Sequence, residues 1–149
     1  MIIVEATDPR HPQASALLRA SHALMEALFP PEENFFLDID ALTAPEIRFF
    51  TARIGEQILG TGALAIREGY GEVKSMFVDE AARGRGIADA LLRRIEDEAR
   101  NLNLPCLRLE TGNLLKAAHA LYARHGFDLR GPFGNYPDAP SSIFMEKQL

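Results

Sequence analysis

The segment from Gly71 to Arg100 constrains the fold more than any other, because it reads strand, glycine turn and helix without interruption. Glu72 to Val78 has strand character, with Val73, Met76 and Val78 apolar. Arg83-Gly84-Arg85-Gly86 then leads into an amphipathic run. Ile87, Ala88, Leu91, Leu92, Ile95 and Ala99 recur at helical spacing, and Arg93, Arg94, Glu96, Asp97 and Glu98 fill the remaining surface. One face of this helix is buried and the other is wet.

The turn has the chemistry of an anion site. The first turn of a helix carries N–H groups without intrahelical partners and the positive end of the helix dipole. Gly84 and Gly86 let a ligand approach the backbone without a Cβ in the way, and Arg83 and Arg85 add charge and donors. The bland alternative is a glycine turn with two surface arginines. Two familiar phosphate loops are excluded. A P-loop needs Gly-Lys followed by Ser or Thr, and no Gly-Lys pair occurs in the chain. The dinucleotide fingerprint needs a third Gly or Ala where Asp89 stands.

A chain of 149 residues with 47% hydrophobic content forms one domain, residues 1–149, with an ordinary core. Its net charge of -5 argues against nucleic acid as the main ligand. The single cysteine, Cys106, cannot form an internal disulfide, and no signal-like or membrane-spanning apolar segment is evident. A soluble cytoplasmic protein with no membrane partner is expected.

Ile2 to Ala6 reads as a strand, and Asp8-Pro9 as the cap and first residue of a helix that ends near Phe29. A short second helix is expected within Asp38 to Ala44. Ile47 to Ile54 and Gln57 to Ile66 form a hairpin around Gly55-Glu56, and Gly69-Tyr70-Gly71 turns the chain into the central strand. Cys106 to Thr111 is a further strand, Leu114 to Arg124 a helix stopped by Gly126, and Phe127 and Ser142 to Lys147 contribute the last two strands.

Arg83-Gly84-Arg85-Gly86-Ile87-Ala88 resembles the Arg/Gln-x-x-Gly-x-Gly/Ala motif of the GNAT superfamily of acyl-CoA-dependent N-acyltransferases. Leu121-Tyr122 with Gly126-Phe127 resembles the Leu-Tyr-x-x-x-Gly-Phe signature of the same family. Lys74-Ser75-Met76, Glu110-Thr111-Gly112 and the tail Phe133-x-x-Tyr136-x-x-x-Pro140-x-Ser142-x-Phe144-Met145 are similar to a subgroup of small single-domain bacterial members. The resemblance spans nearly the whole chain. It implies an α/β fold of the α+β type, with a mixed, mostly antiparallel sheet flanked by helices and splayed between its fourth and fifth strands.

It also implies acetyl transfer from acetyl-CoA to a primary amine by direct attack in a ternary complex. Arg83 to Ala88 would hold the pyrophosphate, and the amides of Met76, Phe77 and Val78 the pantetheine arm, with Phe77 or Val78 also serving the oxyanion. Tyr122 is the expected acid, since a phenol can protonate a departing thiolate. The base is Glu72, eleven residues before Arg83, with Glu110 and water as alternatives; Glu72 otherwise reads as a solvent-facing strand residue. Many members carry Asn seven residues before the motif tyrosine, where this chain has Leu115. Asn113 is then the nearest cofactor-binding candidate, or simply the cap of the helix that follows.

His11, His22, His119 and His125 are scattered, so no metal is expected. Cys106 reads as a small core residue. Phe133 and Tyr136 are the candidate substrate-binding residues on a loop over the acceptor, with Pro30 to Phe36 as the facing wall; ordinary packing or a homodimer contact is the other use of both segments. A compact domain favours a small-molecule amine. The alternatives are a non-catalytic acyl-CoA sensor and a protein N-terminal or lysine acetyltransferase.

Overall fold

The computed structural model describes residues 1–149. The elements follow in the order β1 (Ile2–Ala6), α1 (Pro12–Leu28), β2 (Ile47–Ile54), β3 (Gln57–Arg67), β4 (Tyr70–Val78), α2 (Ile87–Asn101), β5 (Cys106–Gly112), α3 (Lys116–Arg124), β6 (Asp128–Arg130) and β7 (Ser142–Gln148). Helix α1 starts one turn later than Asp8-Pro9 suggests. His11 is its N-cap, with Nδ1 accepting from the Gln13 amide, and Pro12 takes the first helical position. The helix expected within 38–44 is a single 3₁₀ turn, Ala41–Thr43, and another lies at Pro31–Glu33. Both segments are too short and too proline-flanked to propagate an α-helix.

The seven strands form one sheet in the order β1-β2-β3-β4-β5-β7-β6, antiparallel except for the β4–β5 pair. This is the mixed, mostly antiparallel sheet expected from the motifs. Alternation along the strands divides the core. Phe50, Ala52 and Leu64 pack with Leu91, Leu92, Ile95 and Ala99 of α2, whereas Phe49, Ala63 and Ala65 pack with Ala14 and Leu18 of α1. The helices therefore cover opposite faces of the sheet, as their apolar stripes require.

Strand β4 carries a bulge. Thr61 pairs with Phe77 and Ala63 with Lys74, so Ser75 and Met76 together oppose Gly62, and Ser75 has φ +57°. The odd step in the apolar pattern, from Val73 to Met76, is the mark this bulge leaves in the sequence. At the end of β5, a Cβ on Gly112 would run into the Phe29 ring. Gly112→Ala is therefore expected to overpack this contact, costing about 1–3 kcal/mol and lowering Tm by about 3–10 °C in a thermal melt.

Candidate active site

The β4–β5 register covers only Gly71 with Leu107 and Glu72 with Arg108. Beyond it β5 stays paired with β7, so the edge of β4 facing β5 is released from Val73 onward. The parting of the strands opens a groove of about 830 Å³. Met76, Phe77 and Val78 line it from β4, Arg83, Gly84, Gly86, Ile87 and Ala88 from the turn and α2, and Leu121 and Tyr122 from α3. Leu24 and Met25 of α1 complete an apolar wall. Arg85 is exposed and lies outside the lining, so the structure does not bring it to the groove with Arg83.

The start of α2 suits an anion. Gly86 is the N-cap in the left-handed region, φ +81°, and provides no side-chain cap, so the first-turn amides stay open to a ligand. Gly84 has φ +83°, and a Cβ at either glycine would meet nothing within 4 Å. An anion would be repelled by Asp89 in the first turn were that carboxylate not already engaged. Arg124 donates to it at 3.0 Å and His125 Nε2 at 2.8 Å, and the His125 bond leads the interactions that hold its pKa below the usual carboxylate range. Lys116 and Arg124 add cations to the groove wall.

A second cavity of about 130 Å³ adjoins the groove, and Tyr122 lines both. Phe29, Phe35 and Phe36 form one wall, Lys74, Ser75 and Met76 a second, and Glu110 comes from β5. Tyr122 is only 6% exposed, and burial, with Glu110 adding repulsion, pushes its phenol well above its ordinary pKa. It therefore stays protonated as a hydrogen-bond donor. Glu110 accepts from Ser142 Oγ at 2.8 Å, and burial pushes its carboxyl above the usual range.

Glu72 is not a solvent-facing strand residue: it is 2% exposed. It lines neither the groove nor the cavity. Its carboxylate accepts from Tyr136 Oη and from Arg67 Nε at 3.3 Å, with Lys74 Nζ at 3.5 Å. Lys74 in turn donates to Tyr136 Oη at 2.8 Å and to the Phe35 carbonyl at 3.0 Å. Tyr136 lies outside the cavity lining and meets it through Lys74 and the Phe35 ring. Phe133 is buried against Tyr70, Tyr136 and Phe144, packs the loop and lines no part of the cavity.

Asn113 is also displaced from its expected place. It is absent from the groove lining, and α3 begins at Lys116 with Leu115 as N-cap, so Asn113 does not cap the helix either. Its amide donates to the Ser141 carbonyl at 2.8 Å. Of the 30–36 segment, Glu33, Asn34, Phe35 and Phe36 line the second cavity. Glu33 Oε1 accepts from Ser141 Oγ at 2.7 Å and from the Ser141 amide at 3.2 Å, tying that wall to the 131–141 loop. No local sequence signal announces this tie, because its partners lie 108 residues apart. No helix is long and apolar enough to cross a membrane, and no group of three or more His, Cys, Asp or Glu side chains is arranged to hold a metal ion.

A splayed sheet with a glycine turn at the opening defines a class, the acyl-CoA N-acyltransferases, and comparison with known proteins agrees. Residues 15–127 match the acetyltransferase (GNAT) family. An IAA acetyltransferase of Azospirillum brasilense is 52% identical over 124 residues, covering 82% of this chain and 81% of its own length. The crystal structure of a Klebsiella pneumoniae protein assigned to the acyl-CoA N-acyltransferases superposes with TM-score 0.84 at 32% identity, covering 100% of this chain and 98% of that one. PaiA N-acetyltransferase of Thermoplasma acidophilum, solved in complex with coenzyme A, shares the fold at TM-score 0.77 and 15% identity, covering 100% of this chain and 99% of its own. The chain belongs to the GNAT acetyltransferase family and is an N-acetyltransferase.

Proposed function

We propose that this chain transfers an acetyl group from acetyl-CoA to the primary amine of a small molecule, by direct attack with both substrates bound. The observation that carries this reading is the meeting of an apolar, cation-flanked groove with a small acceptor cavity at Tyr122. The uncapped start of α2, with Arg83, Lys116 and Arg124 nearby, fits a pyrophosphate and further phosphate. The unpaired edge of β4 at Met76, Phe77 and Val78 fits an extended amide-bearing arm.

Acetyl-CoA supplies an activated thioester. The amine nitrogen bonds to the acetyl carbon, the C–S bond breaks, one amine proton passes to a base and coenzyme A leaves as the thiol. Glu110 suits the base better than Glu72, because it faces the cavity whereas Glu72 is engaged by Tyr136, Arg67 and Lys74. Tyr122 lines both the groove and the cavity, and its raised pKa suits a hydrogen bond to the developing thiolate more than full proton transfer. The cavity's size and the Glu33–Ser141 tie favour a small acceptor over a polypeptide. A cytoplasmic setting fits the lone free thiol of Cys106.

The test is thiol release from acetyl-CoA across a panel of small amines, beside labelled acetyl-CoA incubated with a cell lysate. Amine-dependent release without labelled protein supports the reading. Labelled lysines or N-termini would assign the enzyme to protein acceptors instead. Tyr122→Phe is expected to lower kcat by about 10–100-fold, the range for one hydrogen bond to a charged group, while acetyl-CoA affinity by calorimetry stays within about threefold. A non-catalytic acyl-CoA sensor would release no thiol, and this substitution would leave its binding unaltered.

A further inference from the structure

Two adjacent residues of the acceptor cavity have no part in the transfer chemistry. Lys74 is the only cationic side chain on its wall, and that side chain is 9% exposed. An ammonium has three donors. Two go to Tyr136 Oη and the Phe35 carbonyl, and Glu72, at 3.5 Å, is shared with Arg67 and Tyr136. The third donor faces Glu72, whose carboxylate Lys74 therefore shares with two other donors.

Beside it, Ser75 Oγ is the one buried side-chain polar atom in the molecule without a hydrogen-bond partner. The bulge holds Ser75 at φ +57°, a conformation unusual for serine, and Ser75 lines the same cavity. A cation and an unpartnered hydroxyl on adjacent residues of one cavity lining complement a carboxylate. Glu110, on the neighbouring strand, complements an amine. The cavity, about 130 Å³, is small beside the groove of about 830 Å³, which suits a short acceptor.

We propose that the acceptor is a small amino acid, its amine toward Glu110 and its carboxylate held by Lys74 and Ser75. This rests on the transferase reading given above and adds the substrate class. Tyr136 becomes a positioning residue, since it holds Lys74 against the cavity.

The experiment compares each amino acid with the amine left when its carboxylate is removed: glycine with methylamine, β-alanine with ethylamine, 4-aminobutyrate with propylamine. Binding is measured by calorimetry on the protein saturated with coenzyme A, and kcat/KM by thiol release with acetyl-CoA. Wild type should favour the acid of at least one pair. Lys74→Met should lower that acid-to-amine ratio by about 10–100-fold and Ser75→Ala by about 3–10-fold. Comparing ratios between proteins cancels the differing basicity of the amines. Should Lys74→Met fail to fold, Ser75→Ala decides alone. Acid binding that depends on Lys74 without turnover would uphold the inference and refute the transfer. Turnover of plain amines at ratios that neither variant moves would refute the inference and leave the transferase standing. No binding or turnover with any pair would overturn it as well.

Discussion

Glu110→Gln should lower kcat by about 10²–10⁴-fold, the range for removing a general base, and should erase the acid limb of the pH–rate profile. A base acts only when ionised. Burial raises the Glu110 pKa, so in wild type the rate should fall as pH drops through a value above the ordinary carboxylate range of about 4.3. Glutamine keeps the shape and the bond from Ser142 Oγ but cannot titrate, so the variant's residual rate should be flat across that window. The paired control is Glu72→Gln. If the limb survives in Glu110→Gln and disappears in Glu72→Gln, the base is Glu72 and its ion pairs form the catalytic apparatus. Loss of the limb in Glu110→Gln alone assigns the base to the cavity wall.

Gly86→Glu should reduce acetyl-CoA affinity by about 100-fold or more, read by calorimetry on protein whose thermal melt remains cooperative. The carboxylate would stand at the uncapped first turn of α2, occupying the amides and opposing an incoming phosphate. Gly86→Ala separates charge from strain. A Cβ there meets no neighbour, so alanine carries only the left-handed penalty, about 1–2 kcal/mol of stability. Its affinity should lie much nearer to wild type. Undiminished binding in a folded Gly86→Glu would remove the α2 turn from the cofactor site.

Much of the architecture could be read from short-range pattern. Ile87, Leu91, Leu92, Ile95 and Ala99 are buried as their spacing demands, whereas Ala88 is half-buried and Glu96, expected on the wet face, is buried where Lys147 and Arg100 pair with it; Gly55 and Gly69 take positive φ at the turns where strands were expected to reverse. Helix starts were less legible. His11 and Pro12 cap α1 in place of Asp8 and Pro9, because several residues in this stretch can cap and packing chooses among them.

The candidate site divides along the same line. The turn Arg83 to Gly86 was visible because a glycine-rich helix start is local chemistry, and Tyr122 because its motif is contiguous. The different surroundings of Glu72 and Glu110 were not visible. Both are glutamates on apolar strands, and only the parting of β4 from β5 after Glu72 turns Glu110 toward the cavity while Glu72 stays among Arg67, Lys74 and Tyr136. Tyr136 meets Glu72 across 64 residues, and Ser141 meets Glu33 across 108. The sequence by itself determined backbone periodicity, the turns and the glycine-capped helix start, since neighbours along the chain set them. Which side chains share a cavity was decided by sheet order and strand divergence, which bring together residues whose spacing along the chain carries no trace of the encounter.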